Sequence, residues 1–133
     1  MSILLDAHIY RLASQGVDVD RLASQGDEGL AVLAVVELVC RAVEYLEIAG
    51  SCPDDPERRR ASIDHAMRHV ACLGDCLSAG GGEVAFDLFR LYIFTNRRLA
   101  DAMGGDPGGL VDGMQVLRHL RDEWVRELEE RSS

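Results

Sequence analysis

The sequence contains no lysine: all 14 basic residues are arginine, set against 23 aspartates and glutamates, for a net charge of −9. That balance argues against nucleic acid or an anionic membrane as the main partner, because both require a cationic face. Long apolar runs are also missing. The longest, Leu30 to Val36, has seven residues and ends at Glu37, against the roughly 20 that a membrane span needs. The first ten residues carry no basic leading region, and Asp6 interrupts Ile3, Leu4 and Leu5. No secretory signal is therefore expected. The four cysteines are then expected as reduced thiols in a cytosolic protein. No segment alternates with period two, so no strand is expected. Catalytic signatures are lacking as well: there is no His-Glu-x-x-His, Gly-x-Ser-x-Gly, Walker loop or Glu-x-x-His pair. The chain reads as a non-enzyme with no catalytic residues, no cofactor and no metal.

What is present is the pattern of a helical protein. A chain of 133 residues, 47% apolar and 28% charged, is one domain with enough length to bury a core. Three breaks punctuate it: Gly50-Ser51-Cys52-Pro53, Gly80-Gly81-Gly82 and Gly104-Gly105-Asp106-Pro107. Asp55-Pro56 and Asp106-Pro107 each read as an N-cap followed by proline at the first helical position. Between the breaks, apolar residues recur every three or four positions. The spacing predicts long helices at 27–50, 55–79, 82–103 and 107–130, joined by short breaks as an all-α, antiparallel up-and-down four-helix bundle. Residues 1–26 stand apart as an N-terminal segment preceding a bundle domain at 27–133. That segment carries a short amphipathic stretch and two copies of Arg-Leu-Ala-Ser-Gln-Gly, at 11–16 and 21–26.

The helix faces carry more apolar surface than one core needs. On the third helix, Val84, Leu88, Leu91, Tyr92, Thr95, Leu99 and Ala102 form a core stripe, while Phe86, Phe89, Ile93 and Ala100 form a second stripe beside it. The first helix repeats this, with Val32, Val35, Val36, Val39, Val43 and Leu46 in one stripe and Leu38, Tyr45 and Ile48 in another. A four-helix bundle covers one stripe per helix, so the second stripes point to an apolar groove or to permanent cover by the N-terminal segment. The last helix has a single stripe ending in Trp124 and Leu128, and the lone Trp is expected as a core plug. On the second helix, His65, His69, Cys72 and Cys76 share a flank beside the core stripe Ile63, Ala66, Met67, Val70, Leu73 and Leu77. Four donors strung over about 16 Å cannot share one zinc, and half-exposed His and small Cys are ordinary on such a flank.

From Gly81 to Glu127 the motifs fall in a fixed order. Gly81-Gly82-Glu83 opens a helix; Leu88, Leu91 and Tyr92 follow; then come Arg98-Leu99-Ala100, Asp106 in the loop, and Leu120-Arg121-Asp122-Glu123-Trp124. This set resembles the FliS-type flagellar secretion chaperone family. Its motif residues here are Leu91, Tyr92, Arg98, Leu99 and Trp124. Upstream, Arg41 to Ala49 looks like the end of the family's first long helix, whereas Leu38-Val39-Cys40-Arg41 departs from its usual Leu-Tyr-Asp-Gly. The resemblance implies a cytoplasmic chaperone, a monomer or weak homodimer, that wraps the C-terminal amphipathic helices of flagellin. It would prevent premature polymerisation and deliver flagellin to the flagellar type III export gate. It also implies a movable N-terminal lid, to which Ile9 and Tyr10 belong. Joined to the helix faces, it makes Leu38, Tyr45, Ile48, Phe86, Phe89 and Ile93 the expected partner-binding residues. Three alternatives stay open from the residues alone: a divergent bundle with another client, a metal-binding bundle on the His/Cys flank, or a self-associating bundle.

Overall fold

The computed structural model describes residues 28–77 and 82–132. The proposed lid segment, with Ile9 and Tyr10, lies outside the described residues. Four helices are described: α1 (Glu28–Gly50), α2 (Pro56–Asp75), α3 (Gly82–Met103) and α4 (Pro107–Ser132). Each packs on its neighbours in chain order, and α4 closes the ring against α1. This is the expected all-α up-and-down bundle, with no strand among the described residues.

The helix starts follow their caps. Asp55 accepts a hydrogen bond from the Arg58 amide at 3.2 Å with Pro56 in the first turn. Asp106 accepts from the Gly108 amide at 2.9 Å ahead of α4. One boundary differs from expectation. α2 ends at Asp75 rather than 79, because the Cys76 amide is shared between the carbonyls of Cys72 at 3.0 Å and Leu73 at 3.2 Å. That tightening stops the helix and turns Leu77 into the core.

The core holds the expected stripes. Val35, Val39, Val43 and Leu46 of α1 meet Ile63, Val70 and Leu73 of α2, Leu88 and Leu99 of α3, and Leu117 and Trp124 of α4. Trp124 is fully buried, as expected of a plug. The α3–α4 contact requires glycine. A Cβ on Gly113 would meet Leu99 Cδ2 at 2.5 Å, and a Cβ on Gly109 would fall on the Arg98 carbonyl oxygen. Glycine costs about 0.5–1 kcal/mol of helix propensity relative to alanine, and here that cost brings two backbones together.

Arg98 fastens the same seam from outside. Its guanidinium reaches Asp112 of α4 at 2.9 Å, Asp106 of the loop at 3.3 Å and Asp101 of its own helix at 2.7 Å. On the other side of α4, Arg118 and Arg121 lie 3.7 and 3.6 Å from Glu47 of α1.

Gly109→Ala is expected to lower unfolding stability by about 1–3 kcal/mol through overpacking. Gly50→Ala, whose Cβ meets only Leu110 at 4.0 Å, should stay within about 0.5 kcal/mol of wild type. Urea midpoints of the two variants check this, and equal midpoints would contradict the close α3–α4 contact.

Candidate functional site: an apolar cleft between α2 and α3

The second stripe of α3 stays on the surface. Phe86 is 62% exposed, Phe89 47% and Ile93 40%, far above what large apolar side chains show in a core. α3 puts its core stripe against α4 and the bundle interior, so the neighbouring stripe emerges at the edge it shares with α2. There Phe89, Ile93 and Ala100 form one wall of a cleft of about 420 Å³, and Val70, Ala71 and Gly74 of α2 form the other.

The floor explains the opening. Gly74 has no side chain, and a Cβ there would sit 3.8 Å from Phe89 and 3.9 Å from Tyr92. Ala71 is one turn away. Small residues on α2 thus leave room beside the large ones on α3. Deeper in, the Asn96 amide donates to the Met67 carbonyl at 3.2 Å and ties α3 to α2. Its side-chain oxygen is buried and finds no hydrogen-bond partner.

The second stripe of α1 is treated differently. Leu38, Tyr45 and Ile48 are all half-buried. Tyr45 stacks on His65 of α2 with ring centroids 4.9 Å apart, and lies 5.3 Å from His69 in a tilted arrangement. Tyr45 and Ile48 border a polar depression of about 390 Å³ with Glu37, Cys40, Arg41 and Glu44, where Arg41 and Glu37 pair at 2.7 Å. The six expected partner-binding residues therefore do not line one groove. In a ring that follows chain order α1 and α3 are diagonal, so their outer stripes emerge on opposite flanks of α2.

The motif residues have structural roles. Tyr92 and Leu99 are buried, Leu91 is half-buried, and Arg98 is the clasp described above. Hydrogen bonds to Asp112 first, then Asp101 and Asp106, raise the Arg98 pKa above its ordinary value. The His/Cys flank is dispersed: His65 and His69 face Tyr45, His69 Nδ1 lies 2.8 Å from the His65 carbonyl, and Cys76 is buried. No group of three or more potential ligands gathers among the described residues. No described helix is long and apolar enough to cross a membrane.

Residue patterning missed part of this site. Ala71 and Gly74 were invisible because a search for large apolar stripes passes over small residues, and Val70 was read only as a core residue. Phe94, 46% exposed, was missed because it falls among the charged positions of α3, between Arg90 and Arg97. Arg90 itself sits over the Phe86 ring, 5.9 Å from its centroid, so the outer face of α3 mixes aromatics with arginines.

The fold and the cleft together define a four-helix bundle with one open apolar flank and no clustered chemistry among the described residues. The family model for the flagellar protein FliS matches residues 31–131, and the chain belongs to that family, a family of flagellar export chaperones. No curated protein and no solved structure matches the chain.

Beneath the cleft, burial pushes the Cys76 thiol up to about 11, with Cys72 and Asp75 adding to the rise. Burial likewise holds the Tyr92 phenol well above its ordinary value, with Cys76 contributing. Both groups stay protonated longer in the folded chain than in the unfolded one. The contribution of Cys76 to stability is fully present below the ordinary thiol pKa of 9.0 and is lost as pH rises through about 11, and that of Tyr92 begins to be lost only above its ordinary value of 10.0. Urea midpoints are expected to be flat from pH 7 to about 8.5 and to fall by pH 10.5, with Cys76→Ala showing a smaller fall. A midpoint unchanged at pH 10.5 would contradict the burial of these groups.

Proposed function

We propose that this chain is a cytosolic flagellar export chaperone whose client is flagellin. It binds flagellin's C-terminal amphipathic helices, prevents their premature polymerisation and delivers the subunit to the flagellar type III export gate. Two supports meet in this reading: membership of the family and the apolar cleft between α2 and α3. The observation that carries it is the exposure of Phe89 and Ile93 in the wall of the cleft, with Phe86 exposed on the same stripe of α3. An amphipathic helix laid into such a groove buries its own apolar face and that of the groove together. Half-exposed Phe and Ile side chains each contribute about 1 kcal/mol when fully covered. Several such contacts on both partners are needed to offset the ordering of a client that folds only when bound.

The residues on α1 form a second station. Leu38, Tyr45 and Ile48 lie on the other flank of α2, so a client segment that crosses α2 touches both. The lid follows the same logic. The first 26 residues, with Ile9 and Tyr10, compete with the client for the cleft, and docking of that segment lowers apparent affinity by the fraction of time the cleft is closed.

Co-expression with the C-terminal region of the host's flagellin tests the reading. The two chains are expected to co-purify as a complex. Phe89→Asp and Ile93→Asp should each reduce binding by more than about 100-fold, because a carboxylate would be buried without a partner, while helicity and monomer size stay unchanged. Ile48→Asp should cost less, about tenfold, since that side chain borders a polar depression already open to water. Full retention of flagellin by both α3 variants would remove the cleft from the mechanism.

A further inference from the structure

The cleft is apolar along its length but charged at its two ends. Asp75 of α2 and Arg97 of α3 are the only charged residues among those that line it. They mark opposite ends because the two helices run antiparallel. At one end Gly74 lies beside Phe89, which places Asp75 there. At the other the Asn96 amide bonds the Met67 carbonyl, which places Arg97 there. Arg97 lies eight positions after Phe89 on α3, about 12 Å of helix.

Among the described residues neither end charge enters an ion pair. The ion pairs of the described residues engage Arg41, Arg68, Arg98, Arg118, Arg121 and Arg126, and none includes Asp75 or Arg97. Among the described residues the Arg97 guanidinium therefore stands on the apolar rim with no carboxylate at ion-pair distance. α2 also ends at Asp75, so the partial negative charge of its C-terminus has the same sign as that carboxylate.

We infer that the cleft reads the direction of its occupant: it takes an amphipathic helical segment of another protein, about two to three turns long, with the segment's N-terminus at Asp75 and its C-terminus at Arg97. The bound helix runs parallel to α3. Its positive dipole end and a cationic residue in its first turn meet Asp75; its negative end and a carboxylate in its last turn meet Arg97. The apolar stripe supplies the contact with Phe89 and Ile93, and the end charges reject the reversed orientation, in which both ends face like charge. This assignment rests on the chaperone reading above and specifies the client segment that it would hold.

Two synthetic peptides of equal length test the inference with the full chain. Both are acetylated and amidated and share one apolar stripe. The first has Lys in its first turn and Glu in its last, and the second has the reverse. Binding is read by fluorescence anisotropy against wild type and against the double variant Asp75→Arg, Arg97→Asp, whose helicity is checked first. The ratio of the two affinities is expected to change about tenfold between the proteins, with the first peptide favoured by wild type. Intrinsic helicity differs between the peptides but cancels in that comparison. A nitroxide on the N-terminus of the first peptide should broaden amide signals at 72–77 more strongly than those at 97–101. An unchanged ratio, or stronger broadening at the Arg97 end, overturns the inference. Binding of neither peptide overturns it too, whether the cleft is filled by the chain's own first 26 residues or by a second copy. Flagellin co-purification still decides the chaperone reading independently.

Discussion

The seating of Leu99 on Gly113, with Gly109 under the Arg98 carbonyl, is the contact on which the rest of the surface depends. It draws α3 onto α4 until backbone meets backbone, and the guanidinium of Arg98 holds the joint through carboxylates on the loop and on α4. A helix held this firmly along one edge does not need its other edge for stability. Its second apolar stripe can stand open beside α2 without the bundle losing the order of its core. The opening is then shaped by what α2 offers, which is Gly74 and Ala71 where larger side chains would have filled the gap.

The two surplus stripes show how context decides the fate of similar sequence. Tyr45 and Phe89 are both large aromatics outside the main core stripe of a long helix. Tyr45 meets the imidazoles of His65 and His69, and the stacking covers one face of its ring while leaving the polar edge near water. Phe89 meets a glycine and keeps about half of its surface. The first arrangement consumes apolar area inside the monomer, and the second stores it. Asn96 sits at the boundary between the two regimes. Its one bond to Met67 sets the approach of α2 and α3, and its second polar atom is buried without a partner, a local cost that a packed apolar seam would not carry.

Much of the fold was legible in the residues because helix signals are local. Asp55-Pro56, Asp106-Pro107 and the glycine breaks set three of the four helices closely, and period-3.6 patterning identified Val39, Leu46, Ile63, Leu73, Leu99 and Trp124 as core. The exposed α3 stripe was legible for the same reason. Its partner wall was not, since patterning treats each helix as a separate cylinder. Which stripes share a groove depends on the order of helices around the ring, and that order separates Phe89 from Tyr45 although the two stripes look alike. The end of α2 escaped as well, because it is set by one shared amide at Cys76 rather than by a breaker residue. Arg98 was visible as part of a motif, but its three carboxylate partners come from three different places in the sequence.

Charge has two separate consequences here, and they act at different distances. The net charge of −9 is felt beyond the surface and disfavours polyanions, within a screening length of about 8 Å at physiological salt. It says nothing about which way round a bound segment lies. Orientation is settled only inside contact range, where Asp75 and Arg97 sit at the two ends of an otherwise apolar wall. An apolar stripe is nearly symmetric under reversal of a short helix, so burial supplies adhesion without direction. One charge of each sign, spaced by about two turns, supplies direction while adding little to adhesion, which suits a surface that must hold a client and then release it.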